Sequence, residues 1–249
     1  MEFQEVIKDL KQKRELSDLD DSFIKSRVMD YLNQNKLSDK FMEKKFSKTS
    51  VYKRMFKDIR RKLHEIYGIF RSDTFKEHPS VKERLVYYKE IYHKIFSITG
   101  KPKKILDIGC GLNPMSYKYL GYKPYYYAAD ISNYDVSKVY QFFRVNKIRG
   151  RAFTFNLIDD PCSKLPIVDV CFLFKVLESL EAIKKGISES IIKGLRCDWI
   201  VVSFSKKQIS GLKIRKAGRS WFRRILGKLK LHYVVFDIGD EIFFVIKRK

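Results

Sequence analysis

The residues best suited to chemistry stand in Ile105-Leu106-Asp107-Ile108-Gly109-Cys110-Gly111-Leu112-Asn113-Pro114 and, about twenty positions later, in Ala128-Ala129-Asp130-Ile131. Gly109 and Gly111 let the backbone approach a ligand closely, because a Cβ there would occupy the ligand's space. The acid ahead of them sets the chemistry. A dinucleotide loop of the form GxGxxG receives a pyrophosphate at a helix N-terminus, whereas a D-x-G-x-G loop puts a carboxylate near the cationic methionine part of S-adenosylmethionine (SAM). Asp130, closing the next apolar run, stands where an acid accepts hydrogen bonds from both ribose hydroxyls. Asp107, Gly109, Cys110, Gly111, Asp130 and Ile131 are therefore the expected cofactor contacts. A nicotinamide enzyme is the competing reading, and in purely structural terms Asp107 caps a helix and Asp130 starts a turn.

Two later strand ends add candidates. Asn156-Leu157-Ile158-Asp159 closes a third apolar run and Phe172-Leu173-Phe174-Lys175 a fourth, and ligands of open parallel sheets bind beyond the carboxyl ends of the strands. Asn156, Leu157 or Asp159 is placed to meet an adenine. Phe174 and Lys175 are placed to line the transfer site as candidate catalytic residues, with Phe174 also touching the cofactor. Ordinary strand-end polarity is the alternative. Methylation of an exocyclic amine calls for an Asn/Asp-Pro-Pro-aromatic tetrad after the fourth strand, and the chain has Phe174-Lys175-Val176-Leu177-Glu178 there. Pyrimidine C5 methylation needs a cysteine nucleophile; Pro161-Cys162 precedes the strand and reads as a loop thiol. A purine ring nitrogen such as guanine N7 loses no proton, so alignment and desolvation suffice.

These residues need a parallel sheet to position them. Short apolar runs at 104–108, 125–131, 152–157, 168–174, 199–204, 233–238 and 242–246 predict seven strands, with helices around 135–147 and 182–195. Gly239-Asp240 predicts a hairpin between the last two. The expected fold is α/β: a Rossmann-like, mostly parallel seven-stranded sheet with a C-terminal antiparallel hairpin, over residues 101–249. Residues 1–100 read as a helical module, with Phe3, Val6, Ile7 and Leu10 on one face and Phe23, Val28, Tyr31 and Leu32 on another.

The balance of 52 Lys and Arg against 29 Asp and Glu, a net charge of +23, calls for a polyanion. A lysine-rich proteome is the alternative, although it would bring glutamate with it. Lys53, Arg54, Arg60 and Arg61 form one basic cluster among aromatic residues. Lys206, Lys207, Arg215, Lys216, Arg219, Arg223 and Arg224 form a second, around Trp221 and Phe222. Phosphates and a flipped base held beside the transfer site are the expected use, with an anionic membrane surface or a solvated face as alternatives. No apolar run is long enough to span a bilayer and the charged N-terminus lacks a signal sequence, so a cytoplasmic protein is expected. Cys110, Cys162, Cys171 and Cys197 have neither zinc-ligand nor disulfide spacing, so no metal is expected.

The chain resembles the aminoglycoside-resistance 16S ribosomal RNA (guanine-N7) methyltransferases. The resemblance rests on Lys62-Leu63-His64-Glu65-Ile66-Tyr67-Gly68, His78-Pro79-Ser80 with Glu83-Arg84-Leu85, Ile105 through Pro114, Tyr127 through Ile131, Asp169 through Leu177, and Val202-Ser203-Phe204 followed by Ser210-Gly211. It implies a SAM-dependent enzyme acting on the small ribosomal subunit, a helical module that docks on ribosomal RNA, and a SAM pocket that includes His78 and Arg84, with Arg84 a bidentate donor to the SAM carboxylate. A monomer without metal or membrane attachment is expected. A tRNA or other RNA base methyltransferase, or a non-catalytic RNA-binding protein on the same fold, are the other readings.

Overall fold

The computed structural model describes residues 3–13, 16–43, 45–67, 84–207 and 219–248. Of the residues singled out above, His78, Arg215 and Lys216 lie outside the described residues. Two compact units are present, Met1–Ser72 with Ile131–Tyr134, and Asp73–Asp130 with Asp135–Lys249.

The first unit is helical: α1 (Phe3–Leu10), α2 (Asp21–Gln34), the one-turn α3 (Ser38–Phe41), a 3₁₀ turn at Phe46–Lys48, and α4 (Ser50–Tyr67). Helical spacing brings Val6, Ile7 and Leu10 to one buried face, and Phe23, Ile24, Val28 and Leu32 to another. Asp20 starts α2 by accepting the Phe23 amide at 3.1 Å, which satisfies one of the first-turn donors. Met55, Ile59 and Leu63 give α4 a buried stripe. Its other side carries Lys53, Arg54 and Arg61 exposed to solvent, with Arg60 lying over the Phe56 ring at 5.8 Å.

The second unit holds α5 (Tyr88–Thr99), β1 (Lys104–Ile108), β2 (Tyr125–Asp130), α6 (Asn133–Val145), β3 (Gly150–Thr154), β4 (Val168–Phe174), α7 (Leu177–Ile183), α8 (Ile187–Gly194), β5 (Cys197–Ser205), α9 (Ser220–Lys228), β6 (Tyr233–Ile238) and β7 (Glu241–Lys247); the first residues of α6 fall in the helical unit. The sequence pattern groups α5 with the helices before it; in the structure its Tyr88, Ile91, Tyr92 and Ile95 share one core with Ile105, Val170 and Phe172 of the sheet. The strand order is β3-β2-β1-β4-β5-β7-β6. Neighbours from β3 to β5 are parallel, and β7 runs antiparallel to both β5 and β6. Helical crossovers cover both faces, which is why β4 is buried along nearly its whole length while the edge strands β3 and β6 are half-exposed. No described helix is long and apolar enough to cross a membrane.

Two local expectations shift. β3 covers 150–154 rather than 152–157, because the amides of Asp159 and Asp160 fold back onto the Asn156 carbonyl at 3.3 and 2.8 Å and end the extended run. The single helix expected over 182–195 is two, α7 and α8, separated at Gly186, whose φ of +83° no helix accommodates.

Candidate functional site

Strand order reverses between β1 and β4, and it is beyond the carboxyl ends of the strands at such a switch point that open α/β sheets bind ligands. The loop after β1 forms one wall. Gly109 has φ +62°, and a Cβ on it would meet Val176 Cγ2 at 2.6 Å, so the loop can pack against the end of β4 only without a side chain. The amides of Gly109 and Cys110 both point at the Ala129 carbonyl, at 2.9 and 3.2 Å, which anchors the loop on β2. Gly111 continues in a left-handed conformation, and its amide donates to Asp130 Oδ2 at 2.8 Å.

Asp107 is the buried acid at the base of this loop, 1% exposed. Asn113 Nδ2 and the Tyr126 hydroxyl both donate to its Oδ2, at 2.8 and 2.9 Å. Tyr88 in turn donates to Asn113 Oδ1 at 2.9 Å, fixing the amide's orientation. Oδ1 of Asp107 is buried and has no hydrogen-bond partner among the described residues. Burial pushes the carboxyl up to about 6, against the opposing pull of the Asn113 and Tyr126 hydrogen bonds. A buried acceptor with one open oxygen beside a side-chain-free loop fits a ligand carrying a cation, and Asp130 at the end of β2 supplies a second carboxylate for a ribose. Ile131 follows directly and is buried. SAM matches this donor and acceptor set.

Asn156 holds its own turn together. Its Oδ1 accepts the Ile158 amide at 3.1 Å and its Nδ2 donates to Asp159 Oδ2 at 2.8 Å. Both ends of the side chain therefore organise the turn after β3, the usual work of an Asn in a tight turn. An adenine hydrogen bond from this amide would have to displace one of them. Leu157 and Ile158 in the same turn are buried apolar surface.

The other wall gathers Phe174, Lys175 and Arg84. Phe174 stacks on Phe172 with ring centroids 4.8 Å apart and lies 5.0 Å under the Arg84 guanidinium. It shapes the wall and offers no proton-transfer group. Lys175 leaves β4 with φ +58°, a conformation uncommon outside glycine and often found at functional sites. Arg84 is 3% exposed and donates from Nε to Glu241 Oε2 and from Nη2 to Glu241 Oε1, each at 2.8 Å. The bidentate grip expected on a ligand carboxylate is thus given to Glu241, because a buried guanidinium needs a permanent counter-charge. Ser203 and Lys175 also converge on Glu241, Lys175 Nζ at 3.7 Å from Oε2. Burial alone would raise the Glu241 carboxyl, but Arg84 and Lys175 outweigh it and hold it below its ordinary value. Sequence reasoning missed Glu241, Tyr88 and Tyr126; the one available signal for Glu241 was an acid opening an otherwise apolar strand.

The basic candidates divide. Arg224 is exposed on α9, and Lys206 and Lys207 are half-buried and pair with Asp237 and Asp240 at 3.9 and 2.6 Å. Arg223 spreads over the Phe244 and Tyr233 rings at 5.1 and 5.7 Å. Arg219 is a correction: it is 4% exposed, bonded to Glu178 at 3.1 Å and stacked over Phe204 at 5.3 Å, so it secures the start of α9 and presents no charge to RNA. Phe222 likewise enters the core, edge-on to Phe204 and Phe244. Cys162 is half-buried in a 3₁₀ turn with its thiol pushed up by burial, the opposite of an activated nucleophile.

Residues 70–218 match the family model described as ribosomal RNA methyltransferase (FmrO). A relative from Serratia marcescens, named 16S rRNA (guanine(1405)-N(7))-methyltransferase, is 30% identical over 69% of this chain and 67% of its own. One of the same name from Proteus mirabilis is 25% identical over 79% and 85%. Among solved structures, the 16S rRNA methyltransferase RmtF in complex with S-adenosyl-L-homocysteine superposes with a TM-score of 0.82 at 24% identity, covering 100% of both chains. The 16S rRNA methylase RmtB gives 0.79 at 19% identity, covering 100% of this chain and 99% of its own.

Proposed function

The chain belongs to the ribosomal RNA methyltransferase (FmrO) family, and from that premise we propose that it transfers a methyl group from SAM to a guanine N7 of 16S ribosomal RNA. The observation that carries the reading is Asp107 Oδ1, buried beside Gly109 and Gly111 with no partner among the described residues. SAM, when bound, supplies a methyl group activated by a sulfonium. Asp107 holds the cationic amino-acid end, Asp130 the ribose, and the turn at Asn156 and Leu157 the adenine. Phe174 and the backbone at Lys175 form an apolar wall that excludes water where the guanine arrives. Guanine N7 presents a lone pair and loses no proton, so the site needs alignment rather than a general base.

The helical unit supplies Lys53, Arg54, Arg60 and Arg61 to RNA phosphates. Lys206, Lys207, Arg223 and Arg224 supply a second set of basic contacts. The enzyme works in the cytoplasm, as a monomer, on the small ribosomal subunit. Its modification is of the kind that confers aminoglycoside resistance. The test is incubation with tritiated SAM and, separately, 30S subunits, naked 16S RNA and tRNA. Label in 16S RNA is expected, and label confined to tRNA would replace the substrate assignment.

A further inference from the structure

Glu241 opens β7 at the tip of a hairpin, a position where no strand geometry requires an acid, yet it is 4% exposed and receives side chains from three distant segments. Arg84, before α5, gives it two nitrogens at 2.8 Å; Ser203, in β5, gives it a hydroxyl; Lys175, just past β4, brings its ammonium to 3.7 Å. A buried ion pair returns little net stability compared with apolar packing, so fold stability alone does not call for this arrangement. An apolar residue would hold β7 in place but could not orient a guanidinium and an ammonium together. Lys175 is gripped at both ends: its amide donates to the Ser203 carbonyl at 3.0 Å while its Nζ faces Glu241. That double hold accompanies its left-handed backbone at the carboxyl end of β4.

We propose that Glu241 is a positioning residue for methyl transfer, fixing Arg84 and Lys175 at the carboxyl ends of β4 and β5. The inference rests on the SAM-methyltransferase reading. Its test is Glu241→Gln, which keeps the shape and removes the charge, read per folded molecule as S-adenosylhomocysteine affinity by calorimetry, kcat on 30S subunits, and RNA affinity by filter binding. The expected result is a loss of about tenfold or more in kcat with RNA affinity within about twofold of wild type. A variant whose kcat and S-adenosylhomocysteine affinity both stay within about twofold, with only a lower melting temperature, overturns it. Should Glu241→Gln not fold, Ser203→Ala removes one donor and leaves both ion pairs; about threefold or more in kcat is then expected, and an unchanged kcat overturns the inference. A wild-type protein that neither binds S-adenosylhomocysteine nor methylates RNA refutes the methyltransferase reading itself, whereas an active wild type with an indifferent Glu241→Gln removes the positioning role alone.

Discussion

Asp107 and Glu241 are both buried carboxylates at the carboxyl-end face of one sheet, and the protein treats them in opposite ways. Among the described residues both donors to Asp107 are neutral and fall on one oxygen, which leaves Oδ1 without a partner there, and burial pushes the carboxyl up to about 6. Glu241 is surrounded by a guanidinium, an ammonium and a hydroxyl, and is held ionised. In the proposed reading a ligand completes the first arrangement, whereas the second already has its full set of partners. The same residue chemistry therefore leaves an open acceptor on β1 and builds a closed frame on β7, and the distribution of donors decides which.

The largest expected effect breaks the frame. Glu241→Ala should cost about 3–5 kcal/mol in urea unfolding, because it strands a buried guanidinium. Asp107→Asn should cost only about 1 kcal/mol, since Oδ1 carries no protein hydrogen bond. Equal losses would erase the distinction. Next, Asp130→Ala should weaken S-adenosylhomocysteine binding by about 1–3 kcal/mol in calorimetry; unchanged affinity in a folded variant removes Asp130 from the site.

A smaller effect is set by pH. The Asp107 carboxyl lies above its ordinary value in the ligand-free fold, so acidification from about 6 towards 4 favours that fold relative to the unfolded chain. The same protonation removes the charge that meets the ligand's cation. Affinity for S-adenosylhomocysteine should therefore fall as pH drops through about 6 in wild type and stay nearly level in Asp107→Asn. Matching profiles would mean that Asp107 does not meet the cation. The smallest effect is expected of Cys162→Ser: its half-buried thiol is pushed up by burial and packs beside Gly194 at the end of α8, so methyl transfer should persist. Near-complete loss would point to covalent C5 chemistry.

The difference between the two carboxylates also marks what a sequence can show. Asp107, Gly109, Gly111 and Asp130 were legible because strand ends and glycine loops leave local patterns, and the seven apolar runs gave the sheet. Glu241 was not, because its partner Arg84 is 157 positions away and long-range pairing leaves no spacing to read. The turn contacts of Asn156 were not legible, because an amide at a strand end serves a ligand or a turn equally well until its partners are seen. The burial of Arg219 is not legible either, because composition does not separate a solvated arginine from one stacked on Phe204 beneath the surface.

The central claim is methylation at guanine N7, and the chemistry of the product tests it most directly. N7-methylguanosine carries a positive charge that labilises its glycosidic bond, so 30S subunits labelled with tritiated SAM would be stripped of protein, reduced with borohydride and treated with aniline. Cleavage of 16S RNA at one labelled guanine is the expected result. A label on a nucleotide that resists this cleavage would contradict the N7 assignment, even for an active RNA methyltransferase.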